Sequence, residues 1–98
     1  MNESNKLQEQ KTALLDAKIY LQSQRPRDKV VINEVSNNIF ALEKRQSALT
    51  GSPIIPDLTD AQVKKLQAAI GELHNQIAAS ATADEILDAA TAILKSVP

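Results

Sequence analysis

The chain contains no cysteine, which removes disulfides, thiolate nucleophiles and cysteine-based zinc sites together. Tryptophan is also missing, and one Phe with one Tyr brings the aromatics to only 2 % of residues. The core is therefore expected to be aliphatic, built from Leu, Ile, Val and Ala. Two glycines leave no phosphate-cradling loop of the Walker or dinucleotide type. The single histidine, His74, cannot assemble a metal site alone and has no nucleophile spaced to it, so it reads as a boundary or surface residue. No cofactor or metal is expected, and enzymatic activity is not.

Charge of one sign is lacking too. Eleven basic residues against twelve acidic ones give a net charge of −1, and neither sign gathers into a long run. Nucleic-acid and anionic-membrane binding draw on clustered Lys and Arg, and neither is expected of this surface. No window approaches the roughly 18 consecutive apolar residues of a membrane-spanning helix. The first ten residues also lack the apolar segment of a secretory signal, leaving a soluble, cytoplasmic protein as the default expectation.

What the sequence does contain is helical periodicity, in one domain of 98 residues. The fold class it predicts is all-α, with two antiparallel helical hairpins at 5–50 and 59–97. A Pro-containing connector at 51–58 joins them, most simply in a four-helix bundle. In the first helix Leu7, Leu14, Ala17 and Leu21 share a face, with Leu15 and Ile19 broadening it, and Asn5 with Gln8 forms a cap signal. Pro26 breaks the chain there and suits the first turn of a second helix running from about Arg27 to Thr50. Its stripe is Val31, Val35, Leu42 and Leu49, edged by Ile32 and Ile39, and Gly51 stands where a left-handed cap is expected.

The third helix has the clearest start, Thr59 with Gln62 in a capping box and Leu58 with Val63 as a staple. Its stripe, Val63, Leu66, Ile70, Leu73 and Ile77, is narrow, and Gly71 could admit a closely packed neighbour. A fourth helix starts at Thr82 with Glu85 and presents Ile86, Ala89, Ala90, Ile93 and Val97. Its early acids Asp84, Glu85 and Asp88 suit a helix N-terminus. As a reader of DNA it lacks the basic and amide side chains that base edges and phosphates require.

Four residues fall off these stripes or outside the helices, and they are the candidate protein-binding residues: Phe40, Ile54 and Ile55, with Tyr20 in addition. Core burial is the first expectation for Phe40, because a chain so poor in aromatics has few other large side chains to place there. Ile54 and Ile55, between Pro53 and Pro56, are expected to pin a stiff strap across the end of the bundle. By elimination the function predicted is a non-enzymatic protein–protein interaction module of adaptor, assembly or secretion-associated type. Its partner is another protein or a second copy of this chain. The alternatives are a small inhibitory, immunity-type or phage-encoded antagonist of an enzyme or effector, and a bundle that holds an apolar small molecule.

Overall fold

The computed structural model describes residues 3–51 and 58–96, the side chains of residues 3–5 excepted. Its four helices are α1 (Glu3–Ser23), α2 (Lys29–Thr50), α3 (Asp60–Ala78) and α4 (Ala83–Lys95), with no strand among the described residues. The all-α expectation therefore holds. Ile54 and Ile55, and the strap they were to pin, lie outside the described residues.

Local chemistry sets the helix ends. At α3 the Gln62 amide N–H donates to the Thr59 hydroxyl at 3.1 Å, and the Thr59 N–H donates to the Gln62 side-chain oxygen at 2.9 Å, completing the predicted box. Thr82 caps α4 by accepting from the Glu85 N–H. Two of the expected ends differ. Helix α1 already includes Asn5, so the Asn5 cap is not used. Pro26 precedes α2 rather than opening it, because the Asp28 carboxylate accepts from the Val31 N–H at 3.1 Å and sets the start at Lys29.

The expected left-handed glycine cap is also displaced. Gly51 is right-handed, with φ −85°. The left-handed position is Ser80 instead, with φ 57°, just after α3. There Ala81 N–H donates to Gln76 C=O and Ser80 N–H to Ile77 C=O, the paired bonds of a Schellman turn. That turn reverses the chain within a few residues and sends α4 back along α3.

Helix directions follow from the cross-links. Lys11 pairs with Glu43 at 3.6 Å and Gln8 lies 3.5 Å from Gln46, so α1 and α2 are antiparallel. Gln10 bonds Ile93 and Tyr20 bonds Ala81, so α1 and α4 are antiparallel as well. Helices α1 and α4 each touch all three others, whereas α2 and α3 do not touch. The cross-section is a rhombus with α1 and α4 on its short diagonal. Packing distances of about 8–10 Å and a Cα radius of about 2.3 Å give a thickness near 14 Å for such an arrangement. The observed extents are 46 × 24 × 14 Å.

The core follows the predicted stripes. Leu7, Leu14, Ala17 and Leu21 of α1 meet Val31, Val35, Ile39 and Leu42 of α2, with Leu66, Leu73, Ile86, Ala89, Ala90 and Ile93 from the second hairpin. Three polar side chains are buried with them, Lys6, Gln10 and Ser96. Gly71 has no close neighbour: a Cβ placed there would meet nothing within 4 Å, so no helix approaches it.

Candidate functional site

Among the described residues, four large apolar side chains remain in solvent: Leu15 (39 % exposed), Ile19 (64 %), Val30 (68 %) and Phe40 (56 %). The expected burial of Phe40 is therefore overturned. The physical reason is angular: Phe40 stands well off the Val31, Val35, Leu42 row, and α2 packs only against α1 and α4. Leu15 and Ile19, read as broadening the core face, likewise turn outward, because the neighbours of α1 all lie on its inner side.

Three of these residues share one side of the molecule. The pairs Gln8 with Gln46 and Lys11 with Glu43 set the α1/α2 register, and continuing it one turn brings Leu15 level with Phe40. Both point away from the core on the same side of the hairpin. Ile19 follows one turn further along α1. The Phe40 ring carries the Lys44 ammonium 4.7 Å from its centroid, a contact that covers part of the ring without burying it.

Beside Ile19 the surface sinks into the groove between α1 and α3. A depression of about 400 Å³ is lined by Gln8, Thr12, Ala13 and Asp16 of α1 with Ile70 and His74 of α3, among others. A second depression, about 370 Å³, continues it past Asp16, Ile19 and Tyr20 against His74 and Ile77. Residue numbers rise together on the two walls, so α1 and α3 run parallel. Ile19, Ile70 and Ile77 supply most of the apolar surface, with Ala13 buried at the floor. His74 Nε2 and Asp16 Oδ2 face each other at 3.6 Å where the two depressions meet, both about half exposed. An exposed pair at that distance contributes little to stability.

Tyr20, the fourth candidate, also has a place within the fold. Its hydroxyl donates to the Ala81 carbonyl at 2.8 Å, tying the end of α1 to the α3/α4 turn, and its ring is half-buried. Tyr20 also lines the second depression. The structure thus brings Tyr20 to the groove's end and Phe40 to the opposite flank of α1, while Leu15 and Ile19 fill the space between them.

Among the described residues no group of three His, Cys, Asp or Glu side chains could hold a metal ion. Nor is any described helix long and apolar enough to cross a membrane. The one buried polar cluster lies between the start of α1 and the end of α4. Gln10 Nε2 donates to Ile93 C=O at 2.9 Å, Ser96 Oγ donates to the same carbonyl at 2.7 Å, and Lys6 pairs with Glu9 at 2.9 Å. The Gln10 side-chain oxygen has no partner. Gln10 and Ser96 thereby satisfy the Ile93 carbonyl in the last turn of α4, a structural task. Comparison with protein-family models, curated proteins and solved structures finds no match for this chain.

Proposed function

We propose that this protein is a non-enzymatic interaction module that binds another polypeptide through the outer face of α1 and the adjoining side of α2. The observation that carries the reading is the exposure of Leu15, Ile19 and Phe40 on one side of a chain whose remaining large apolar groups are mostly sequestered. Burying an Ile or Phe side chain fully is worth about 1.5–3 kcal/mol. With over half of each side chain still in water, Ile19 and Phe40 each hold roughly 1–2 kcal/mol for a partner. Exposed apolar anchors of this kind are the usual source of affinity in protein interfaces. The described depressions are open furrows, which suit a polypeptide better than an enclosed apolar ligand.

The test is photo-cross-linking in the cells that make the protein, with p-benzoylphenylalanine placed at position 19 or 40 and at exposed Lys64 as control. A discrete heavier adduct from 19 and 40, absent from 64, is expected. Leu15→Asp should remove the adduct at 40 and leave far-UV circular dichroism unchanged. Equal labelling from all three positions, or none from 19 and 40, refutes the reading.

A further inference from the structure

We infer that the furrow between α1 and α3 is the seat of a cationic amphipathic helix contributed by the partner, packed as a fifth helix parallel or antiparallel to α1. The inference deepens the reading of this side as a binding surface and rests on it.

Three observations lead to it. The first is shape. Helices α1, α4 and α2 form one triangle and α1, α4 and α3 form another. A helix laid on the α1/α3 slope makes a third triangle of the same kind, with its side chains reaching Ile19, Ile70 and Ile77 at the usual interhelical distance. The second is length. From Gln8 to Tyr20 the furrow follows twelve steps of α1, about 18 Å, which matches three to four turns of a docked helix. Recognition of that kind uses apolar anchors at spacings of three and four.

The third is charge. The walls carry two carboxylates, Glu9 and Asp16, and the lining of both depressions includes no lysine or arginine. Glu9 and Asp16 stand seven residues apart, two turns, so they lie on one side of α1 about 10 Å from each other. Both are about half exposed and open to a docked cation on their solvent side, although Glu9 also holds buried Lys6 at 2.9 Å and Asp16 faces His74 at 3.6 Å. The complementary ligand is a helix with an apolar stripe flanked by two Lys or Arg residues seven positions apart. An acidic helix would set its carboxylates against Glu9 and Asp16 and be rejected.

Two fluorescein-labelled, alanine-based helical peptides test this by polarisation at low salt. Both carry leucines at the three-and-four spacing, and one has two lysines seven apart where the other has two glutamates. The lysine peptide should bind at least tenfold more tightly, and the gap should narrow as salt rises. Asp16→Lys should shrink the preference several-fold or more. Thr12→Trp, an exposed wall residue filled in, should block the lysine peptide while circular dichroism stays native. Equal binding of the two peptides, or a preference unmoved by Asp16→Lys, overturns the inference. So does light scattering that shows a dimer of this chain dissolved by Thr12→Trp, since the furrow then belongs to a second copy. If neither peptide binds while cross-linking from positions 19 and 40 persists, the furrow assignment falls and the interaction-module reading stands. Loss of those adducts together with intact lysine-peptide binding does the reverse.

Discussion

Replacing Gln10 with Met should make the protein more stable, although it deletes a buried hydrogen bond. Gln10 is fully buried against α4, where its Nε2 donates to Ile93 C=O at 2.9 Å and its Oε1 has no partner. The lost bond is worth about 0.5–1.5 kcal/mol. Ile93 C=O is not orphaned by that loss, because the Ser96 backbone N–H at 3.2 Å and hydroxyl at 2.7 Å both still donate to it. The unpartnered Oε1 opposes folding by about 1–3 kcal/mol of desolvation, all of which the thioether removes. Met has the same unbranched length and fits with little repacking. The net gain is about 1 kcal/mol, which for a domain of this size raises Tm by roughly 4–8 °C. Urea unfolding followed by circular dichroism reads it as a rise in midpoint at constant slope. A destabilisation of about 1 kcal/mol or more would show that Oε1 is hydrogen-bonded in solution and that the polar cluster holds α1 to α4 as a unit.

Three further substitutions bear on local geometry. Gly71→Ala should stabilise by about 0.5–1 kcal/mol in the same unfolding assay, since the residue is exposed, mid-helix and has open space at its Cβ. A loss would mean that another surface closes on α3 there. Ser80→Gly should raise stability by up to about 1 kcal/mol by relieving the left-handed backbone at φ 57°, and an unchanged or lower midpoint would contradict that. Tyr20→Phe should cost about 1 kcal/mol through the Ala81 bond and raise hydrogen exchange selectively in the turn at 79–82; uniform exchange would deny the strut.

Much of the fold was legible because helical period and polar capping act locally. Thr59 with Gln62 and Thr82 with Glu85 are both box signals within four residues; the first forms completely, whereas at the second Thr82 accepts from the Glu85 N–H but the Glu85 carboxylate accepts from the Thr82 hydroxyl instead of its N–H. The rows Leu7, Leu14, Leu21 and Ile86, Ala90, Ile93 needed only a period of 3.6 to be placed inside. Gly51 and Ser80 show where local reasoning stops: glycine permits a left-handed cap but does not require one, and the reversal between α3 and α4 imposed it on a serine. Asp28 was a readable cap that the nearby proline overshadowed. Gln10 sits at the three-and-four spacing of Leu7, Leu14, Ala17 and Leu21, so its burial had a signal, masked by its polarity.

The candidate surface was less legible because it depends on which sides of a helix its neighbours leave open. A stripe wider than one contact, as on α1, says that a helix has several neighbours without saying how many of them belong to the same chain. Phe40 was flagged by its angle, yet scarcity of aromatics argued for burial, and only the packing of α2 against two helices rather than three decides between them. Ile19 and the furrow required the α1/α3 pairing itself, a contact between residues about 60 apart that no local pattern specifies.

In a rhombus of helices, α1 has its three neighbours spread over about half of its circumference, and the other half faces water. Two slots for additional helices adjoin it there, one over the α1/α2 seam and one over the α1/α3 furrow. Leu15 and Phe40 belong to the first slot and Ile19 with Ile77 to the second. The α1/α2 seam carries the Lys11–Glu43 pair one turn from Leu15, whereas the α1/α3 furrow has depth and carries the carboxylates of Asp16, which faces His74, and Glu9, which is paired with Lys6. On the proposed reading, orientation and selectivity would come from the furrow, where shape and charge both constrain what can lie. The seam would then add apolar area through Leu15 and Phe40 to a partner that the furrow aligns.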